Sequence, residues 1–598
     1  MRIGLLTDGG YPYATGESRL WCDRLVRGLA PHEFDLYALS RSAGQESRGW
    51  IQLPPQVRRV RTAPLWGPAE DGRGYGRRDR RRFAAHFTEL TASVCTARTD
   101  DATASDRFAA GLYGLADLAR ERGGLPAALR SEAAVRLLEA ACRTPGARRS
   151  VHTASVPDFL AFADQLERAL RPLSLDWYGD DGLAGADLCH AASGGPAALS
   201  GLLAKRFFGV PLLVTEYGVQ LRAHYLAGGG APRADEPGGA NDAPVRALCA
   251  AFQGRLAAEV YRQASVITSG NAHARRWQER CGADRAKLRT VHPGMEAARF
   301  AEVREAVGDG DHDDGDPRTL VWVGRIEPAK DLISLLHAFA EIRRAEPGAR
   351  LRIVSAPAQG PGAAAYLTHC QGLAAQLFPD EAVNAHAIGD NPVSFEEIGG
   401  PEAPALADVY AGADVVVLSS VAEGFPVSLV EAMFCGRATV STDVGAVVEV
   451  IGGTGLVVPP RNPRALADAC IALLRDPARR ARLGAAAQAR AGELFTVEQN
   501  LAAFSALYLE LISHSPVRRE ADAVDADGAP LPFAHPAETY VPGRWTGGLS
   551  GLPRHTPSWA SPAARAERVE RVERGERVER GERVEPVGAY AGAGERDV

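Results

Sequence analysis

The sequence predicts an α/β protein of two tandem Rossmann-like domains, with a helical insertion in the first and a loose tail after the second. Three observations carry this. Short apolar runs alternate with helically spaced segments in two series, one starting at Arg2 and one at Thr319. Runs such as the VVVL within ADVVVLSS (413–420) are apolar at every position, as strands covered on both faces must be. Between the series lies GDGDHDDGDP (308–317), which has no apolar residue and reads as a linker. The 598 residues exceed what one core sustains.

In chain order, MRIGLLTDGGYPY gives a strand from Arg2 that breaks into a Gly-rich loop. A helix over Ser18 to Leu29 and a strand at FDLYALS complete a βαβ unit. Residues 84–172 turn rich in Ala, Leu and Arg with helical spacing and read as the insertion. Strands return at ADLCHA (186–191) and PLLVTE (211–216), a flexible loop at 228–243, then a long helix and the strand SVITSG. The second series runs TLVWVG (319–324), a helix from Leu332 to Arg344, RLRIVSA, ADVVVLSS, a helix from about 428, and ATVSTD (438–443). A last amphipathic helix spans Leu501 to Ile512. The tail ends in ERVERGERVERGERVE (570–585), whose alternating charge without a core pattern predicts disorder. The expected organisation is a first domain over 1–305, an acidic linker at 306–317, a second domain over 318–485, helices at 486–513 crossing back to the first domain, and a disordered tail at 514–598.

Composition excludes several classes. A net charge of -6 gives no nucleic-acid footprint. Nine cysteines are scattered without CxxC spacing, so no zinc site or disulfide framework is predicted, and free thiols fit a reducing cytoplasm. No apolar run approaches the ~20 residues of a membrane span, and a strand starting at Arg2 leaves no room for a signal peptide.

Two loops carry the chemistry. In VWVGRIEPAKDL, Arg325 and Lys330 follow a strand and precede a helix. Two cations there can clamp a diphosphate by charge and donor geometry. In AEGFPVSLVEAM, Glu423 follows the buried strand ADVVVLSS, and Glu431 stands eight residues on, past Gly424, Phe425, Pro426, Val427 and Ser428. Ligands of open α/β sheets bind beyond the carboxyl ends of strands, so both loops can face one cleft. Ser428 to Glu431 also fits a capping box at a helix start.

GRIEPAKDL, then about a hundred residues, then EGFPVSLVEAM resembles the donor half of the retaining glycosyltransferase family 4 enzymes. The resemblance implies the GT-B fold, two Rossmann-like domains facing a cleft. YPYATG (11–16), ADLCHAASGGPAA (186–198), PLLVTEYGVQLR (211–222) and VHPGMEAARF (291–300) are most similar to the PelF-type exopolysaccharide glycosyltransferases. Two departures, Gly16-Glu17 where that group carries Gly-Gly and Tyr217 where it carries His, fall in the acceptor-side domain.

The resemblance assigns roles. Glu431 accepts hydrogen bonds from ribose hydroxyls. Glu423 binds the donor sugar near its reacting carbon. The backbone of 424–428 lines sugar and phosphates, and Arg325 and Lys330 hold the diphosphate as it leaves. Gly16 and Tyr217, the positions of the two departures, are candidate cleft residues of the first domain; His190, which follows a strand, is a third, with a packed or surface histidine as the favoured reading of it. The implied activity is transfer of a hexose, with retention, from a nucleotide-diphosphate sugar, UDP-sugar first, to a glycan, lipid-linked or small-molecule acceptor in polysaccharide or glycoconjugate biosynthesis. A GT-B sugar-nucleotide epimerase and a non-catalytic nucleotide-sugar-binding protein are the alternatives. No cofactor or metal is expected: Asp309-Gly-Asp311 sits in the acidic linker, and DAVDADG (522–528) lacks the spacing and closing Glu of a calcium loop. Expected partners are the nucleotide sugar, an unknown acceptor, and a peripheral membrane contact or synthase complex, with no nucleic acid; the arginines between Arg58 and Arg82 read either as a solvated surface or as one that meets an anionic lipid-linked acceptor or membrane face. The expected location is the cytoplasm.

Overall fold

The computed structural model describes residues 1–14, 18–69, 74–97, 102–218, 243–300, 303, 318–357, 361–379 and 391–515. Two fully parallel sheets organise them. The first has the order β3-β2-β1-β4-β5-β6-β7, built from β1 (Arg2–Asp8), β2 (Glu33–Ser40), β3 (Val57–Pro64), β4 (Leu188–Ala191), β5 (Leu212–Glu216), β6 (Val266–Ser269) and β7 (Leu288–Thr290). The second has the order β10-β9-β8-β11-β12-β13, built from β8 (Thr319–Gly324), β9 (Arg350–Ser355), β10 (Val393–Glu397), β11 (Val415–Leu418), β12 (Ala438–Thr442) and β13 (Leu456–Val458). Each sheet reverses its winding once, between β1 and β4 and between β8 and β11. The apolar runs explain the centres: β4, β5, β6, β11 and β12 are buried at every residue.

Four long helices fall between β3 and β4: Arg77–Cys95, Ala102–Arg122, Glu132–Cys142 and Val156–Leu170. They begin at Arg77, earlier than the composition shift near 84. Phe83, Phe87, Phe108, Leu112, Phe159 and Phe162 merge with Tyr37, Leu39 and Leu212 of the sheet into one core, so the insertion is part of the first domain. Among the arginines expected to form a basic surface, Arg61 instead donates to the Asp176 carbonyl at 3.0 Å, and Arg59 donates to the Asp181 carbonyl.

The chain passes between the sheets at two adjacent places. Val291 to Phe300 leads from β7 to the second domain. Helix Pro477–Leu494 packs on the second domain through Ala487 and Ala491. Helix Val497–Ser513 then lays Phe504, Leu507, Tyr508 and Leu511 against Ile3, Leu5, Leu25 and Leu188 of the first. The two crossings are stitched together: Met295 N donates to Phe495 O at 2.9 Å, Val497 N to Met295 O at 3.2 Å, and Asn500 Nδ2 to His292 O at 2.7 Å. The linker 306–317, the loop 228–242 and the tail beyond 515 lie outside the described residues. Among the described residues, no helix is long and apolar enough to cross a membrane.

Candidate functional site

The two motif loops meet. β8 and β11 are hydrogen-bonded neighbours at the reversal of the second sheet, so the loops leaving their carboxyl ends lie side by side. Val421 N donates to Ala329 O at 2.9 Å and Ser419 Oγ to Lys330 O at 2.7 Å, which locks the loops together. Lys330 Nζ then donates to Glu423 Oε2 at 2.6 Å, with side-chain exposures of 14% and 12%. Ser420 Oγ supports the same oxygen at 3.0 Å. A cation and an anion are thus held mostly out of water at the mouth of the sheet. Asp331, in the left-handed region at φ 49°, caps the helix Leu332–Ala345 by accepting from Ser334 N, which turns the chain sharply after Lys330. Arg325 behaves differently. Its side chain is 79% exposed, and its ion pair is a long one of 3.9 Å to Glu327.

Glu431 is buried one helical segment behind the pair. The helix runs Val427–Phe434 with Pro426 as N-cap and no capping side chain. The expected capping box is therefore absent: Ser428 lies inside the helix, and Glu431 is too far along it to reach back to the cap. Glu431 Oε2 instead accepts from the buried Tyr410 hydroxyl at 2.9 Å. Burial pushes the Glu431 carboxyl above its ordinary value, while Tyr410 and the positive field of Arg299 oppose that shift.

The 424–428 loop is shaped from two sides. Val427 N donates to Phe425 O at 3.0 Å, which engages that amide within the loop. The Phe425 ring meets Phe495 edge-on at 5.7 Å, where the chain crosses between domains. Gly445, in the loop after β12, sits at φ 57° against the Glu423 backbone, and a Cβ there would stand 2.3 Å from the Glu423 carbonyl oxygen. Ala446 N donates to Gly424 O at 3.1 Å. Tyr410, Ser420 and Gly445 were not legible as site residues. Ser420 alone carried a local signal, three positions before Glu423.

Of the three candidates in the first domain, Gly16 lies outside the described residues. His190 does not face the cleft. It is 0% exposed, with Nδ1 2.7 Å from the Tyr508 hydroxyl and Nε2 2.7 Å from Thr215 Oγ1. It sits inside the four-residue β4 and fastens that strand to β5 and to the helix Val497–Ser513, and burial lowers its pKa to about 3. Tyr217 is partly exposed at the carboxyl end of β5. Its hydroxyl accepts from Asn500 Nδ2 at 2.9 Å, and Trp21 packs edge-on at 5.2 Å. Among the described residues, no cluster of His, Cys, Asp or Glu has the geometry to hold a metal. Asp309, Asp311 and 522–528 lie outside them.

Two Rossmann-like domains facing a cleft, the second with paired charges at its switch point, constitute the GT-B fold. The whole-chain likeness agrees: the structure of sucrose-phosphate synthase from Thermosynechococcus elongatus superposes with a TM-score of 0.50 at 18% identity, covering 86% of this chain and 100% of that one. Residues 317–476 match the family described as glycosyl transferases group 1, and residues 1–286 match one described as a domain of unknown function (DUF3492). Curated relatives include the D-inositol 3-phosphate glycosyltransferases of Kineococcus radiotolerans, 33% identical over 240 residues, and of Kribbella flavida, 33% identical over 233. These alignments cover 38% and 37% of this chain and 52% of each relative, so the chain spans about half the length of the curated relatives it matches.

Proposed function

We propose that this chain is a retaining hexosyltransferase that uses a nucleotide-diphosphate sugar, UDP-sugar first. The observation that carries this reading is the Lys330–Glu423 pair at the β8/β11 switch point, with Glu431 buried behind it. In the structure the two charges satisfy each other. A bound donor separates their tasks: diphosphate oxygens take Lys330, and sugar hydroxyls take Glu423. Arg325, exposed and loosely paired, has the freedom to swing onto the same diphosphate. Glu431 accepts from ribose hydroxyls while Tyr410 fixes its second oxygen. The bond from the sugar's anomeric carbon to the diphosphate breaks, and an acceptor hydroxyl attacks the same face. Its proton passes to the departing phosphate oxygen. Lys330 and Arg325 matter most as charge grows on that group.

The acceptor belongs to the cleft face of the first domain, near Tyr217. The resemblance of its segments to PelF-type enzymes supports a glycan or lipid-linked acceptor in polysaccharide biosynthesis, on the cytoplasmic side of a membrane. A panel of UDP-, GDP- and ADP-sugars read by thermal shift tests the reading, since a ligand at 100 times its Kd stabilises by about 2.7 kcal/mol. One nucleotide series shifts the melting point, and slow hydrolysis of that donor releases sugar with its anomeric configuration retained. A flat panel, or release of the inverted anomer, contradicts the proposal.

A further inference from the structure

We infer that Cys95 and Cys142 form a redox-active dithiol that can crosslink the helical insertion. Their sulfurs stand 3.5 Å apart, 47 residues apart in sequence. Each is the last residue of its helix, Arg77–Cys95 and Glu132–Cys142. Sequence spacing hides the pair; only the packing of the two helices brings them into contact. The chain just beyond both helices is itself paired: Arg148 N donates to Cys95 O at 2.9 Å and Ala97 N to Gly146 O at 3.1 Å. The two helix ends are therefore already held in register.

The surroundings favour chemistry at Cys142. Both thiols are buried, but the exposed turn 143–146 follows Cys142 directly and pairs through Gly146 with Ala97, two residues past Cys95, so local opening of that turn is the route by which an oxidant reaches them. Arg143 stands next to Cys142, and Arg148 Nε donates to Thr96 O at 3.1 Å beside Cys95. The Cys95 neighbour and the Arg143 charge hold the Cys142 thiol below its ordinary value. Beside Arg143 and next to the exposed turn, Cys142 is taken as the attacking thiolate and Cys95, at the end of the other helix, as the resolving thiol. With glutathione disulfide as oxidant, the Cys142 thiolate attacks one of its sulfurs and releases a glutathione thiolate. Cys95 then loses its proton to solvent and attacks the Cys142 sulfur, which releases the second glutathione. Two protein thiols give up two electrons and two protons, and one disulfide becomes two thiols.

The test uses the purified full chain, equilibrated under native conditions in glutathione buffers of rising oxidised fraction, quenched by alkylation and mapped by mass spectrometry. The expected product joins the Cys95 and Cys142 peptides, loses two of the nine thiols and melts a few degrees higher than the reduced form. Reductant reverses the gain, and Cys142→Ser lacks it. Recovery of both residues fully alkylated while the more exposed Cys249 and Cys281 are oxidised overturns the inference. So does a crosslinked form that melts with the reduced protein.

Discussion

Glu431 is a carboxylate kept in a place that disfavours its charge. Its folded pKa is raised by burial, so the folded state holds the proton more tightly than the unfolded chain. That contribution to stability is complete below the unfolded pKa and is lost as pH rises through the folded one. At neutral pH the ionised group therefore costs stability. Glu431→Gln, which still accepts from Tyr410, should raise the melting point of the ligand-free protein, by the equivalent of about 0.5–2 kcal/mol, and more at pH 7 than at pH 4. The same variant should weaken nucleotide binding. A purely structural carboxylate would show the opposite stability change, so melting curves at the two pH values separate the readings. Gly445 makes a second residue-scale prediction. Gly445→Ala must strain a positive φ and push on the Glu423 carbonyl. Donor hydrolysis should fall at least tenfold while nucleotide affinity changes less; parent-like hydrolysis would show that the Glu423 loop tolerates displacement. Lys330 and Glu423 were legible as charges of neighbouring loops, because both follow strands of one sheet; Glu431, inside the helix Val427–Phe434, was marked only by the resemblance. Tyr410 was not, since it stands 21 residues before Glu431 and only the fold joins them.

At the scale of elements, legibility followed burial. The central strands announced themselves as apolar runs. The edge strands did not: VRRVRTAP of β3 carries three arginines among its eight residues, and β7 and β13 have three residues each. The capping box at Ser428 was misread because the pattern S-x-x-E fits any helix turn, while the actual start is set by Pro426. A packed His190 was the favoured reading of the sequence, but its partner Tyr508, 318 residues away on the last helix, was not legible. The burial of His190 has a pH consequence. Its folded pKa, lowered to about 3, lies far below that of an unfolded histidine, about 6.5. Its contribution to stability is present above the unfolded pKa and is lost as pH falls toward the folded one. His190→Gln keeps a donor and an acceptor but cannot take the charge. The stability difference between parent and variant, measured by denaturant titration, should shrink as pH drops from about 7 to 4. A difference constant with pH would mean that His190 is not buried neutral.

For the whole molecule, the arrangement of the two domains concentrates function at one line. The chain crosses twice between domains at 291–300 and 495–497, and Phe495 touches both His292, at 5.1 Å, and Phe425 of the donor loop. A second contact between the domains runs from Ala272 N, at the start of the helix Ala272–Arg280, to Glu449, which accepts at 2.6 Å. The donor loop thus touches the chain crossing through Phe425 and Phe495. The central claim is that Lys330, Glu423 and Glu431 together form the donor site. Calorimetric titration of the nucleotide selected by the thermal-shift panel, on the parent and on Lys330→Ala, Glu423→Gln and Glu431→Gln, tests it most directly. Loss of a charge-assisted contact is worth about 1.5–3 kcal/mol, roughly 10- to 150-fold in affinity. Lys330→Ala and Glu431→Gln should each lose affinity on that scale, while Glu423→Gln should bind nucleotide like the parent and lose turnover. Parent-like nucleotide affinity in both Lys330→Ala and Glu431→Gln would contradict the account.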